Sequence, residues 1–225
     1  MTPPDTVRDA PCIALIADMV KSREVSRAER PEVQMSFSEF ISDLNRKYRQ
    51  AILARFVVTL GDEFQGLLTD PLIVPDLLWD MHYKFQMRQL RVGMGFGLID
   101  TPIGRNAINI DGPALHHARN AIDLAKKNKL LGGVFAGFGG SYDSAFNGFA
   151  RLLQHHRSRL KRQQRRVIGF LRQSLTQAAI AGELGISRQA VSLYARAAGW
   201  KAYQEGENGW RALLAEVSAD MAPSK

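Results

Sequence analysis

Apolar residues occur along the first 140 positions in two patterns, short runs and recurrences every three or four residues. An apolar or alternating run is typical of a strand, and the wider recurrence is typical of a helix with one buried face. The sequence therefore predicts strands at residues 12–17, 56–60, 64–68, 91–99 and 134–138. It predicts helices at residues 33–52, 76–87 and 111–129.

The order of these elements is β-α-β-β-α-β-α-β, in which a split β-α-β unit occurs twice. Two such units build the ferredoxin-like sheet of an α+β domain, with helices on one face. We therefore expect an N-terminal α+β domain over residues 12–140. The glycine-rich segment at residues 137–149 marks the boundary to a C-terminal all-α domain over residues 145–218.

Acidic residues stand at two turns of this predicted sheet. Asp18 ends the first apolar run, and Asp62 and Glu63 form the turn of the hairpin. Because the first strand of a ferredoxin-like sheet lies beside the hairpin, we expect these carboxylates to converge, and Mg²⁺ is a usual partner of converging carboxylates. The competing interpretation is structural, with Asp18 capping a turn and the other two filling a hairpin tip.

The residues after Asp18 have the chemistry of a phosphate site. Lys21, Ser22 and Arg23 offer two cations, a hydroxyl group and backbone amides. Such groups suit a nucleoside triphosphate. The sequence therefore predicts a nucleotide site with Mg²⁺ at the neighbouring carboxylates.

The segment at residues 177–200 has the layout of a helix-turn-helix. Ala181 is small where the second helix must cross the first, and Gly185 follows where the turn needs a positive φ. The next helix carries residue types that reach base edges and phosphates in a DNA major groove. The predicted DNA contacts are Ser187, Arg188, Gln189, Ser192 and Arg196. An ordinary pair of crossed helices is the competing interpretation.

Basic residues concentrate in the last third of the chain. Residues 1–143 carry 17 basic and 17 acidic side chains, whereas residues 144–225 carry 13 basic and 5 acidic ones, so the net charge of +8 lies in the second segment. An acid-free stretch at residues 144–182 leads into the helix-turn-helix, as is typical of polyanion binding. We expect Arg165 and Arg166 to hold DNA phosphates. A solvated helix face is the competing explanation.

The remaining composition excludes several classes of protein. A hydrophobic fraction of 45% with 23% charged residues is typical of a folded soluble protein. The single cysteine, Cys12, excludes an internal disulfide and a cysteine-based metal cluster. Residues 1–11 lack the apolar stretch of a secretory signal, and no run approaches the roughly 20 residues of a membrane span. We therefore expect a cytoplasmic protein without membrane contact.

Four segments resemble known families. IALIADMV and TLGDEFQGLL are similar to the first strand and the hairpin of class III nucleotide cyclases, and the hairpin also resembles that of GGDEF diguanylate cyclases. RVGMGFG and DGPALHHAR resemble the strand and the helix that follow. The same segments joined to a helix-turn-helix resemble the SatD family over nearly the whole chain. The resemblance implies a cyclase-like palm domain with Asp18 and Asp62 as metal ligands.

The chain departs from the cyclase pattern at the residues that select the base and stabilise the transition state. Val58 stands where adenylyl cyclases have a lysine, and Leu60 replaces the first glycine of the diguanylate signature. His116 stands where an asparagine is expected, and the arginine of that helix comes early, at Arg119. Loss of one such group costs about a hundred- to thousandfold in rate. We therefore expect Arg119 to contact a nucleotide in a domain with weak or no catalysis.

Together these features predict a DNA-binding transcriptional regulator whose palm domain senses a nucleotide. Because helix-turn-helix proteins read paired half-sites, we expect a homodimer on double-stranded DNA. The first alternative is an enzyme, a Mg²⁺-dependent nucleotidyl cyclase or nucleotidyltransferase that is localised by its helix-turn-helix. The second alternative is a protein–protein module whose helix-turn-helix contacts another protein.

Overall fold

The structure of the protein is a computed structural model that describes residues 10–221. The chain divides into two compact units. Of the described residues, 10–151 and 211–221 form the first unit, and Leu152–Trp210 forms the second. The sheet belongs to the first unit, whereas every regular element of the second unit is a helix.

The first unit is a mixed α/β structure around a five-stranded sheet. Its strands are β1 (Cys12–Met19), β2 (Ile52–Leu60), β3 (Glu63–Leu68), β4 (Leu90–Gly97) and β5 (Val134–Ala136). Its helices are α1 (Arg30–Lys47), α2 (Val74–Tyr83), α3 (Pro113–Lys127), the first part of α4 (Gly140–Arg159) and residues 211–220 of the last helix of the chain. Short 3-10 turns occupy Ser22–Glu24 and Pro71–Ile73. Up to β5, the order of strands and α-helices is the predicted one.

β1 is the central strand of the sheet. The strand order is β2-β3-β1-β4-β5, in which only the β4–β5 pair is parallel. All eight residues of β1 are buried, which explains the continuous apolar run in the sequence. Asp18, expected at the end of this run, lies inside β1, and its register partners are Glu63 of β3 and Arg91 of β4.

α3 lies directly against the backbone of β4. A Cβ on Gly93 would collide with the backbone nitrogen of Ile122, and one on Gly95 would collide with the carbonyl oxygen of Ala114. The glycines of β4 therefore let α3 approach the sheet closely. Because alternate and cross-paired residues share a face of the sheet, α3 covers the face that carries Asp18.

Two helices are shorter than the apolar spacing predicted. α1 ends at Lys47 instead of residue 52, because a turn begins at Tyr48 and Ile52 is already the first residue of β2. α2 ends at Tyr83 instead of residue 87, although Phe85 beyond it is still buried. In both places the apolar spacing continues past the helix because the following segment also contributes to the core.

The second unit contains the end of α4, then α5 (Arg162–Leu171), α6 (Gln177–Leu184), α7 (Arg188–Ala197) and the first half of α8 (Trp200–Asp220). Its hydrophobic core is a cluster of buried side chains from α5, α6 and α7. These side chains are Val167, Ile180, Val191 and Ala195. Since each of the three helices contributes, their relative positions depend on this cluster.

A buried polar network supports this core from the side of α8. Arg172 donates to the two carboxylate oxygens of Glu207 at 3.1 and 2.6 Å. The hydroxyl of Tyr203 donates to Glu207 at 3.2 Å and accepts from Nε of Arg157 at 3.0 Å. Burial raises the pKa of Tyr203 above its ordinary value of 10.0, which favours the protonated hydroxyl that donates to Glu207.

The structure bears on membrane insertion and on the single cysteine. None of the helices within residues 10–221 has both the length and the apolar character that crossing a membrane requires. Cys12 is buried at the start of β1. As the single cysteine of the chain, it forms no internal disulfide.

Candidate functional site

A cleft of about 340 Å³ opens beside the tip of the β2–β3 hairpin. Two guanidinium groups, a hydroxyl, an amide and a carboxylate line it, and they belong to Arg23, Arg30, Ser22, Gln34 and Asp62. The guanidinium and hydroxyl groups are hydrogen-bond donors of the kind that hold an anion. We call this the hairpin cleft.

The hairpin tip is fixed from both sides. The amide of Met19 donates to the carbonyl of Asp62 at 2.9 Å, and Nε2 of Gln34 donates to the carbonyl of Gly61 at 2.7 Å. The hydroxyl of Ser22 donates to Oδ2 of Asp62. These bonds hold the Asp62 carboxylate in the wall of the cleft.

The turn after β1 separates the residues predicted to bind phosphate. Ser22 and Arg23 line the hairpin cleft. Lys21 adopts the left-handed backbone conformation at φ 59°, and its Nζ lies 3.1 Å from the carboxylate of Glu24. Both members of that pair are exposed, and Lys21 does not line the cleft.

A second set of charged groups lies between α3 and the sheet. Arg119 donates to both carboxylate oxygens of Glu63, at 2.8 and 2.7 Å. Arg91 donates to Oδ2 of Asp18 at 3.1 Å. Nζ of Lys126 lies 3.7 Å from Asp18 and 3.6 Å from Glu63. We call these five residues the ion cluster, in which three cations surround two nearly buried acids.

The pKa values of the two acids in the ion cluster shift in opposite directions. Burial raises the pKa of Asp18, and the nearby charge of Asp62 adds to this, while Lys126 and Arg91 compensate only in part. Burial would also raise the pKa of Glu63, but the hydrogen bonds and charge of Arg119 outweigh it and lower that pKa. Glu63 is therefore stabilised as a carboxylate, whereas ionisation of Asp18 is penalised.

The candidate ligands for a Mg²⁺ ion are the two carboxylates of Asp18 and Asp62. Within residues 10–221, His, Cys, Asp and Glu side chains do not form a group of three or more that could hold a metal ion alone. Mg²⁺ commonly takes one or two carboxylates and completes its shell with water and phosphate. Oδ1 of Asp18 is buried without a hydrogen-bond partner, and the bond from the amide of Met19 holds Asp62 beside the end of β1. Glu63 is less suited, because Arg119 engages both of its oxygens.

The structure thus divides the predicted nucleotide and metal residues into two groups. Asp62 lines the hairpin cleft with Ser22 and Arg23, whereas Asp18, Glu63 and Arg119 lie in the ion cluster. Sequence reasoning missed four residues of these sites, namely Arg30, Gln34, Arg91 and Lys126. Lys126 lies two helical turns after Arg119, so helical spacing could have indicated it. Arg91 could have been found only from the strand register.

In the second unit, α7 presents most of the predicted DNA contacts to solvent. Ser187 caps the helix by accepting a hydrogen bond from the amide of Ala190 at 3.1 Å. Arg188, Gln189 and Arg196 are exposed, whereas Ser192 is half-buried. Neither arginine has an ion-pair partner in the described part of the chain. Their guanidinium groups are available to an external acceptor.

The predicted phosphate contacts on α5 differ in exposure. Arg166 is exposed, and its guanidinium lies 3.4 Å from the side-chain oxygen of Gln163 on the same helix. Arg165 is half-buried. Arg166 is therefore the better placed of the two to meet a ligand from solvent.

Comparison with known proteins gives a match to one family. A family model described as the SatD family matches residues 12–208. Comparison with curated proteins gives no match. Among solved structures, the chain resembles one described as "Crystal structure of the guanylyl cyclase Cya2", with 14% sequence identity and a TM-score of 0.36. That weak similarity covers 53% of this chain and 73% of the other.

Proposed function

This chain belongs to the SatD family, and we propose that it is a DNA-binding regulator whose first unit binds a nucleotide. The observation that carries the proposal is the exposed face of α7. It combines two unpaired arginines with a glutamine on a helix that is capped and anchored in a core. The double-stranded DNA partner, the nucleotide and Mg²⁺ are all parts of this proposal.

The arrangement of α6 and α7 supports a helix-turn-helix. α6 ends at Leu184, and its cap, Gly185, turns the chain with a left-handed φ of 62°. α7 begins at Arg188, directly after the cap at Ser187. Ile180 of α6 and Val191 of α7 are completely buried in the same cluster. A rigid pair of this kind can present the second helix to a major groove without first having to fold.

Charge supports DNA over an uncharged partner. The excess of basic side chains lies in residues 144–225, which contribute the whole net charge of +8. Arg166 on α5 and Arg188 on α7 are both exposed. In this proposal Arg166 contacts a phosphate and fixes the register, whereas Arg188 and Gln189 contact base edges.

The strand order supports a ferredoxin-like palm as the fold of the first unit. The order β2-β3-β1-β4 with antiparallel neighbours is the one that two split β-α-β units require. In such a palm the hairpin cleft would hold the phosphates of a nucleotide through Arg23, Arg30 and Ser22. A bound Mg²⁺ would neutralise phosphate charge beside Asp18 and Asp62.

Catalysis in this unit is weak or absent in our proposal. Arg119, which the cyclase resemblance assigns to nucleotide contact, is engaged by Glu63 at 2.7 and 2.8 Å. A cation held by an internal carboxylate supplies less charge to a transition state. Nucleotide binding would then act as a signal that changes the DNA affinity of a homodimer.

The DNA-binding part is tested by the affinity of the full-length protein for labelled genomic fragments at two salt concentrations. We expect a few fragments to be retained, with an affinity that falls steeply as salt rises. Arg188→Ala should weaken the retained fragments about tenfold or more, whereas Arg166→Ala should weaken all fragments uniformly. Arg46→Ala, an equal loss of charge on an exposed residue of the first unit, is the control. Unchanged affinity in Arg188→Ala would disprove the assigned contact.

The nucleotide part is tested separately with a fluorescent nucleoside triphosphate in the presence and absence of Mg²⁺. Arg23→Ala should weaken binding with or without the ion, whereas Asp62→Asn should remove the enhancement by Mg²⁺. Lys21→Ala, which alters a cation outside the cleft, is the control. Saturating nucleotide should shift the DNA-binding curve of the wild type and leave that of Arg23→Ala in place.

The buried Oδ1 of Asp18, which lacks a hydrogen-bond partner, favours one alternative function. A bound ion at a catalytic site is one explanation for a buried acidic oxygen that lacks a partner. The chain would then be a Mg²⁺-dependent nucleotidyl cyclase or nucleotidyltransferase. Consumption of a nucleoside triphosphate with Mg²⁺ that is lost in Asp18→Asn, in a protein that retains no DNA fragment, would decide for this enzyme.

A further inference from the structure

One apolar residue stands on the polar face of α7. Leu193 is 55% exposed, with Gln189 four residues before it and Arg196 three residues after it. Successive residues of a helix turn by about 100°, so these three side chains share one narrow sector. Val191 and Ala195, the buried residues of α7, lie on the opposite side.

Leu193 contributes little to the stability of the second unit. The core is formed by Val167, Ile180, Val191 and Ala195, and Leu193 does not belong to the side chains that pack against it. Exposed leucines are common on proteins and usually need no explanation. The position of this one is unusual, because it is opposite the anchored face and between two residues suited to base edges.

The major groove of DNA offers one apolar group among its base edges, the C5 methyl of thymine. In an A·T pair this methyl lies beside the N6 and N7 atoms of adenine, which a glutamine can contact with two hydrogen bonds. A leucine one helical turn from a glutamine therefore matches the chemistry of A·T pairs. A serine or a lysine in place of Leu193 would have no such preference for a methyl.

We infer that Leu193 is a specificity-determining residue that packs against thymine methyl groups, while Gln189 contacts adenine at the same or a neighbouring A·T pair. The inference rests on the proposed DNA binding and names the base pairs that α7 prefers. Packing one methyl group against an apolar side chain is worth about a fourfold change in affinity.

The test removes single methyl groups from the DNA. A site is first selected from random duplexes with the full-length protein, and each thymine in it is then replaced by deoxyuridine, one at a time. We expect one or two replacements to weaken binding of the wild type about fourfold. The same replacements should leave the affinity of Leu193→Ala unchanged, because the partner of the methyl is then missing.

Leu152→Ala is the matched control. Leu152 is an even more exposed leucine of the second unit, at 71%, and lies on α4 instead of α7. This variant should keep the full sensitivity to deoxyuridine. Circular dichroism of both variants checks that the helices remain folded, as expected for exposed side chains.

The outcomes separate the inference from the function on which it rests. Selective DNA binding with no deoxyuridine effect in the wild type, or with the same effect in Leu193→Ala, overturns the role of Leu193 and leaves the regulator intact. Failure to select any duplex overturns both. The methyl contact is also overturned if the loss of affinity from wild type to Leu193→Ala is as large on the deoxyuridine duplex as on the thymine duplex.

Discussion

Glu63→Gln tests whether the ion cluster stabilises the first unit. The Glu63 side chain is only 4% exposed and accepts two charge-assisted hydrogen bonds from Arg119. Glutamine keeps the shape of the side chain and one acceptor oxygen. It removes the negative charge and turns an NH₂ group toward a guanidinium that also donates.

The magnitude follows from the burial of the two partners. Removing one member of a buried ion pair typically costs about 3–5 kcal/mol. Arg119 is 42% exposed, so water can solvate its guanidinium after the substitution and the loss is smaller. We expect about 2 kcal/mol, which corresponds to a decrease in melting temperature of roughly 4–8 °C for a chain of this size.

Thermal and urea unfolding followed by circular dichroism measure this loss. Asp43→Asn is the matched control, because Asp43 forms an ion pair at 2.6 Å with Arg46 in which both side chains are largely exposed. The control should change stability by less than about 0.5 kcal/mol. A Glu63→Gln protein as stable as the control would refute the reasoning.

The pH dependence gives an independent check on Glu63. Its pKa is lowered on folding, so the stability that it contributes is present above the ordinary value of 4.5 and is lost as the pH falls through the folded value. The difference between wild type and Glu63→Gln should therefore shrink below pH 4.5. A difference that stays constant in acid would show that the cause is not the carboxylate charge.

Two further substitutions test the neighbouring features. Asp18→Asn should not destabilise the protein at neutral pH. Folding raises the pKa of Asp18, so at pH values above the ordinary 3.8 its negative charge opposes folding, and asparagine removes that charge. A large drop in melting temperature would contradict this. Gly95→Ala should cost about 3 kcal/mol or prevent folding, since its Cβ would collide with the backbone of α3 at Ala114, and urea unfolding measures the loss. Gly148→Ala on α4 has open space and should gain up to about 1 kcal/mol; equal effects at both glycines would show that the collision is not the cause.

Much of the sheet could be predicted because its residues follow strong local rules. β1 is buried throughout and therefore appears as an uninterrupted apolar run. Glycines inside a strand are typical of a close approach by another element, which α3 makes at Gly93 and Gly95. The ends of α1 and α2 were wrong because Tyr48 and Phe85, just beyond them, are core residues at helical spacing without being helical.

The surroundings of the carboxylates could be predicted only in part. The convergence of Asp18 and Glu63 follows from the pairing of β1 with β3, which the element order already implied. The cations that meet them come from β4 and from two positions of α3 that are two helical turns apart. Which side chains of α3 reach the two acids depends on the rotation of this helix on the sheet, which the element order does not specify.

The position of Cys12 has a practical consequence for experiments on this protein. As the single cysteine, buried in the central strand, it should react with a thiol reagent only when the first unit opens. The unmodified chain thus carries its own reporter of opening, readable by the rate of alkylation. A second cysteine placed on an exposed helix could be labelled selectively in the native state without replacing the first.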